Sequence, residues 1–352
     1  MATLIDNDVT ARVLEMPDAV AAIEDAFTQL GRRDATFYPR TDVVSPTARD
    51  GDYYVWGSLL GAIRDPPRLA FRFKSDVLTW EDHGDHVTEE KFNVEPGTFM
   101  GFILLFDTST GELLGLLNDG ALQHVRVGAT AGVAADQLAR EDASRVGILG
   151  SGGMAESYLR AFDVVRDLDA VSVYSPTAAN REAFADRLSA ELGLDVTAAE
   201  SAEAAMADVD IAACTTDASQ PVFREAWLSE GLFLVDVRSV EVEPAAVEAA
   251  DRTVGTTTDG YLSRGIGDEA DLERFRTNRG VSGFAEHDYP TLAEVLVGDA
   301  PGRQADDETI YYHNRSAGLQ FAAVGNLVYE RATEAGLGTA IPLAWFQQDI
   351  RD

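Results

Sequence analysis

Lys74 and Lys91 are the only lysines in this 352-residue chain, and every other basic side chain apart from its histidines is an arginine. A lysine kept where arginine is the default points to chemistry that needs a compact ammonium, tunable in pKa and able to give and take a proton. Lys74 ends the apolar run Leu69-Ala-Phe-Arg-Phe-Lys74, where alternation puts Arg72 and Lys74 on one face and Phe71 and Phe73 on the other. The bland alternative is a snorkelling lysine at a strand end. Arg126 sits in Leu122-Gln-His-Val-Arg126-Val-Gly-Ala-Thr-Ala131, with no acid one turn away at Leu122 or Thr130. Its planar fork suits an external carboxylate, and Arg40, in Tyr38-Pro-Arg-Thr41, is a second cation of this kind. Three cations near strand ends in so acidic a chain imply an anion pocket. Lys91 falls in an acidic stretch and reads as an ordinary surface residue.

A second constellation lies further on. The apolar run Val146–Leu149 reads as a buried parallel strand that ends in Gly150-Ser151-Gly152-Gly153-Met154-Ala155 and passes into a helix. Gly150 permits the tight turn, Gly152 lets backbone approach a pyrophosphate, and Ala155 lets helix and strand pack closely. The new helix N-terminus aims free N–H groups and a positive dipole end at phosphates. A dinucleotide-binding turn is expected, the alternative being a bland strand–turn–helix. The next strand ends Val171-Ser-Val-Tyr-Ser175-Pro-Thr177, where an NAD-selective site normally carries Asp or Glu. Ser175, Thr177 and the nearby Arg181 suit a 2′-phosphate instead, so NAD(P) use leaning to NADP(H) is expected. The alternative for Arg181 is a solvated helix residue.

Other candidates are weaker. His83-Gly-Asp-His86, with Glu81, Asp82 and Asp85, lacks a third ligand at a recognised metal spacing, so no metal is expected. His124 and His313 read as core or capping histidines. Cys214, the single cysteine, lies in an apolar strand and reads as packing; it excludes an intramolecular disulfide and fits a reducing cytoplasm.

Acidic residues number 60 against 28 basic, a net charge of −32, and they are dispersed along the chain. Such a surface repels phosphate backbones and anionic membranes, which counts against nucleic acid as a partner. Dispersed acids with almost no lysine fit a protein adapted to high salt, where screening relieves self-repulsion. No run of about 20 apolar residues is present to span a membrane. The N-terminal Met-Ala-Thr-Leu-Ile-Asp lacks the basic-then-apolar pattern of a signal peptide.

The elements that must hold these groups fall into two styles. Asp18–Leu30 has helical spacing with Gly31 as a stop. Strand-like runs follow at Thr41–Val44, Tyr53–Leu60, Leu69–Lys74 and Phe99–Phe106, and Asp107-Thr-Ser-Thr-Gly111 turns the chain into a return strand. Residues 82–90 read as an acidic loop. After a small-residue helix at Ala121–Leu138 the rhythm becomes strand–helix alternation, the sign of a doubly wound parallel sheet. Thr309–His313 reads as a last strand and Gly318–Ala335 as a helix crossing back.

Taken in order, Leu105-Phe-Asp107-x-x-Thr-Gly111, Leu122-x-x-x-Arg126-x-Gly-Ala, Leu138-Ala-Arg140 and Gly147-Ile-Leu-Gly-Ser-Gly-Gly-Met-Ala155 resemble the ornithine cyclodeaminase/mu-crystallin family. The Lys74 strand, Thr215-Thr216, Pro221 with Trp227, and Gly336-Leu-Gly338 also fit. The resemblance implies an α/β protein. A Rossmann doubly wound domain (131–304) would pair with an α+β substrate and dimerisation domain built from 1–130 and 305–352, in a homodimer. It implies that Arg40, Lys74 and Arg126 are carboxylate-binding and catalytic cations, and that Thr215 and Thr216 neighbour the nicotinamide. The family's catalytic aspartate follows the strand Phe233–Val237; the nearest match here is Glu241, and that replacement counts against true cyclodeaminase activity. Two further departures are the apolar Gln320-Phe-Ala-Ala-Val324, where many members carry an aspartate, and the insertion Trp80–Glu95. The expected function is NAD(P)-dependent oxidoreduction at the Cα–N bond of a small amino or imino acid. The alternative is a non-catalytic cofactor-binding protein of the mu-crystallin type.

Overall fold

A computed structural model describes residues 1–84, 87–259, 262–279 and 288–350. Two sheets organise them. The first runs, from edge to edge, Leu262–Gly265, Thr41–Pro46, Tyr53–Ile63, Arg68–Asp82, Met100–Asp107, Leu113–Asn118, Ala2–Ile5 and Thr339–Ile341. Its centre is antiparallel, and only the pairings of Ala2–Ile5 with Leu113–Asn118 and of Leu262–Gly265 with Thr41–Pro46 are parallel among the described strands. Strict alternation in Tyr53–Ile63 buries every second residue, the pattern of a sheet with one covered face. The helices Met16–Gly31 and Gly318–Glu334 lie in that core, burying Val20, Ile23 and Phe27 from the first and Leu319, Phe321 and Val324 from the second.

The second sheet is parallel throughout, in the order Val196–Ala198, Ala170–Tyr174, Arg145–Leu149, Ile211–Cys214, Phe233–Asp236, Ile310–His313, Arg252–Gly255. The fold is thus the expected mixed α/β class with a Rossmann-like parallel sheet. Its central strands Arg145–Leu149, Ile211–Cys214, Phe233–Asp236 and Ile310–His313 are buried almost throughout, as in a sheet covered on both faces. Cys214 is buried in one of them, where burial pushes its thiol pKa far up, as a packing residue requires. No helix among the described residues is long and apolar enough to cross a membrane.

The expected domain limits need correction in three places. Gly120–Leu138 is one unbroken helix through residue 130, so it joins the two parts rather than ending one. Ile310–His313 belongs to the parallel sheet, and the return to the first sheet comes with Gly318–Glu334, not at 305. Leu262–Gly265 leaves the parallel-sheet region to pair with Thr41–Pro46.

The expected acidic loop at 82–90 is also corrected. Val87–Asn93 is a strand paired with the far end of Arg68–Asp82, from Asp82↔Val87 to Val77↔Phe92. Backbone hydrogen bonds on both edges, rather than an apolar face, hold it, so side-chain patterning gave no warning.

Candidate active site

The glycine turn follows from one backbone torsion. Gly150 has φ +114°, and a Cβ there would lie 2.6 Å from the Thr215 carbonyl oxygen, so no other residue fits. Gly152 caps the helix Gly153–Val165, and a Cβ on it would meet nothing within 4 Å. Open space at a helix N-terminus is the setting in which free backbone N–H groups can meet an anion. Met154 and Ala155 continue into the helix, Ala155 fully buried against the sheet. Ser151 and Ser175 share a hydroxyl hydrogen bond of 2.8 Å, which joins the turn to the end of the second strand. Thr177 caps the helix Ala178–Leu192. Arg181 turns back onto the strand end. Its guanidinium donates to the carbonyls of Ser175 (2.9 Å) and Pro176 (3.3 Å) and lies over the Tyr174 ring.

Thr215 and Thr216 leave the adjacent strand at the same level. The Thr215 hydroxyl donates to the Leu149 carbonyl, while Thr216 is bound to Glu241. Glu241 is fully buried and accepts four hydrogen bonds, from the Thr216 N–H and hydroxyl and from the N–H groups of Val237 and Arg238. Burial, and next the nearby Asp236 charge, raise its pKa to about 7. The structure therefore corrects its expected catalytic placement: the carboxylate lies beneath the cleft floor and organises it.

A cleft of about 1340 Å³ separates this edge from the first sheet, larger than the roughly 300–1,000 Å³ of a single small-ligand pocket. The glycine turn, Ser175, Thr177 and Thr215-Thr216 line one side, and Arg40 with Gln123 and Ser316 line the other. The cations converge behind that second wall. Lys74 pairs in register with Gly57, whose missing side chain leaves room: a Cβ there would be 2.7 Å from Asp42 Oδ1, 3.3 Å from Arg40 Nη2 and 3.4 Å from Lys74 Cε. Arg126 donates to Ser316 and Gln320 (2.8 Å each) and to Gln123 (2.7 Å), and stacks on Phe321. The same ring lies beneath Arg72, so Phe321 connects Arg126 to the Lys74 strand.

Sequence reasoning missed the acids that accompany these cations. Lys74 Nζ contacts both Asp76 oxygens at 2.6 and 2.8 Å, Arg40 Nε contacts Asp42 at 2.9 Å, and Arg72 Nε contacts Asp119 at 2.7 Å, all with buried carboxylates. The signal was present: Arg40-x-Asp42 and Lys74-x-Asp76 are i, i+2 pairs on one strand face. Each of these cations is thus positioned and partly neutralised by the protein itself.

The hairpin strand Val87–Asn93 roofs the cleft. The Glu89 N–H donates to the Asp217 carbonyl and the Ser219 N–H to the Val87 carbonyl, an antiparallel bridge between the two sheets beside Thr216. Arg238 donates to the same Asp217 carbonyl and pairs with Glu89 at 3.4 Å. Lys91, read as an ordinary surface residue, lines this roof. Glu81, His83 and Glu90 on the hairpin bring one ligand atom each within 4.8 Å, but Thr88 Oγ1 already engages both His83 and Glu90. The His83–His86 pairing considered from sequence cannot be traced, since His86 lies outside the described residues. His313, expected in the core or at a cap, is buried as expected and also borders the cleft.

Comparisons with known proteins agree with this fold. The profile of the ornithine cyclodeaminase/mu-crystallin family matches residues 86–336. A Delta(1)-pyrroline-2-carboxylate reductase of Bacillus cereus is 30% identical over 261 residues, covering 72% of this chain and 78% of the relative. The alanine dehydrogenase of Archaeoglobus fulgidus is 26% identical over 295 residues, covering 80% and 88%. The structure of Thermococcus litoralis Delta(1)-pyrroline-2-carboxylate reductase in complex with NADH and L-proline superposes with a TM-score of 0.75 at 25% identity, covering 96% of this chain and 100% of that one.

Proposed function

This chain belongs to the ornithine cyclodeaminase/mu-crystallin family, and on that premise we propose that it is a nicotinamide-dependent oxidoreductase acting at the Cα–N bond of a small amino or imino acid. One observation carries the reading: an open glycine turn at a helix N-terminus faces Arg40 across a single cleft, with Lys74 and Arg126 in the layer behind. A nicotinamide cofactor supplies or accepts hydride at C4. Arg40, at the cleft wall, takes the substrate carboxylate so that the Cα hydrogen faces that carbon, while Arg126 and Lys74 support that wall from behind, and such positioning accounts for much of the rate. Thr215 and Thr216, fixed by Leu149 and Glu241, flank the ring. An ornithine-like substrate would then be attacked by its own second amine, releasing ammonia; with alanine, water attacks and pyruvate leaves. The carboxylate clamp serves both.

NADP(H) is the preferred cofactor in this reading, supported by the Ser175 and Thr177 hydroxyls at a strand end without an acid. Arg181 contributes by leaving the Ser175 carbonyl for a 2′-phosphate. Tighter binding of NADPH than NADH, reduced in Arg181→Ala, is the expected result; tighter binding of NADH by the unaltered protein defeats it. A second copy of the chain covers the half-buried aromatic face formed by Trp56, Phe71, Phe73 and Phe102, giving a homodimer measurable by light scattering.

The second reading, a non-catalytic NADPH-binding protein of the mu-crystallin type, is favoured by the placement of Lys74 behind the lining and in contact with Asp76. Alanine, ornithine, proline and cyclic imines, assayed at 340 nm with both cofactors in high salt, test the enzyme directly. Lys74→Ala should abolish turnover and leave NADPH binding intact. Full turnover by that variant removes Lys74 from the mechanism, and no turnover by the wild type with any of these compounds supports the binding protein.

A further inference from the structure

We propose that His313 is the catalytic proton carrier of this cleft and that Asp236 is its positioning residue. The inference rests on the oxidoreductase reading above.

The two residues end neighbouring parallel strands, paired in register as Asp236↔His313. Their carboxyl-terminal edge is where ligands bind in a sheet of this type. His313 Nδ1 lies 2.9 and 3.0 Å from the Asp236 oxygens. An ionised carboxylate only accepts, so Nδ1 carries the hydrogen and Nε2 is left to take up or release a proton. His313 lines the cleft, and Ser316, three residues on, accepts from the Arg126 guanidinium. Asp236 is fully buried and fixed by further donors, the Tyr311 hydroxyl at 2.6 Å and the Asn314 N–H at 3.1 Å. A carboxylate so held keeps the imidazole in one tautomer and one orientation.

Lys74 is less suited to that task, because its ammonium contacts both Asp76 oxygens behind the wall. The charged and titratable groups around the dyad include Glu241 from the loop after the Asp236 strand, Cys214 on the neighbouring strand, Tyr311 and Tyr312 on the same strand as His313, Tyr158 from the glycine-turn helix, Tyr289, and Arg126 through Ser316. The Tyr158 and Tyr311 hydroxyls stay protonated, since burial raises both pKa values.

The step balances. In reduction of an imine, hydride from the reduced nicotinamide forms the Cα–H bond, the C=N π pair becomes a nitrogen lone pair, and the Nε2 proton of His313 passes to that nitrogen. The products are amine, oxidised nicotinamide and neutral His313. In oxidation, neutral His313 accepts the proton from the amine.

The test compares wild type, His313→Asn and Asp236→Asn for turnover against pH in both directions, with NADH and NADPH binding measured alongside. The amide of the His313→Asn variant retains a donor toward Asp236 but cannot titrate. A drop in kcat of about 10²–10⁴-fold, loss of the corresponding pH limb, unchanged nucleotide affinity, and partial rescue of His313→Ala by added imidazole support the proposal. If Asp236→Asn fails to fold, His313→Asn and the imidazole rescue decide alone. A His313→Asn enzyme within about threefold of wild type, with its pH profile intact, overturns the dyad and leaves the oxidoreductase reading standing. A wild-type protein without nicotinamide-linked turnover overturns both.

Discussion

Glu241 and Thr216 meet twice: one carboxylate oxygen accepts the Thr216 N–H at 2.5 Å and its hydroxyl at 2.7 Å. The other oxygen holds the backbone of Val237 and Arg238, so a single buried side chain fixes two loops of the cleft floor. Burial raises its pKa to about 7 in the fold. The folded state therefore binds this proton more tightly than the unfolded chain does. That contribution is complete below the ordinary carboxylate pKa and is lost as pH rises through 7, on the order of 3 kcal/mol in all. Thermal melts between pH 5 and 8.5 at fixed salt should show wild type declining more steeply through neutrality than Glu241→Gln. Parallel curves contradict this.

Gly150→Ala places a methyl group 2.6 Å from the Thr215 carbonyl on a backbone that L-residues avoid. A loss of about 1–3 kcal/mol and weakened nucleotide binding are expected, read by melting and by fluorescence titration. Unaltered affinity would separate this turn from the cofactor.

Arg72 and Asp119 form an ion pair that is 3% and 0% exposed. Asp119→Ala leaves the guanidinium buried without its counter-charge, and a destabilisation of about 3–5 kcal/mol follows. Arg72→Met combined with Asp119→Leu should recover much of that loss in denaturant unfolding. A double variant as unstable as Asp119→Ala argues against the charge as the cause.

The net charge of −32 is carried by dispersed acids. In dilute buffer their repulsion is unscreened, so helical circular dichroism should fall on desalting and return when salt is restored. A spectrum indifferent to desalting removes the high-salt reading.

What the sequence revealed depended on whether the signal was local. Five of the seven described parallel strands announced themselves in the sequence, and the glycine turn as a turn between a strand and a helix, because both are set by neighbouring residues; the short edge-side strands Val196–Ala198 and Arg252–Gly255 did not. The Lys74 face was legible from alternation, and its partner Asp76 lay two residues away on the same face. Non-local pairings were invisible: Leu262–Gly265 joins the first sheet through backbone bonds to Thr41–Pro46, and Val87–Asn93 bridges both sheets without an apolar face. Glu241 was misread because its position after a strand resembles that of a catalytic acid, while its burial depends on Thr216, 25 residues away. His313 was legible in principle, since it ends a parallel strand.

The central claim is hydride exchange between nicotinamide C4 and substrate Cα in the cleft between Gly150 and Arg40. Reduced cofactor carrying deuterium at C4, incubated with a small imino acid or with a 2-oxo acid and ammonia in high salt, tests it most directly. Mass spectrometry and NMR of the product amino acid should place deuterium on Cα. Cofactor that binds but transfers no deuterium to any such substrate, or deuterium found elsewhere, would contradict it.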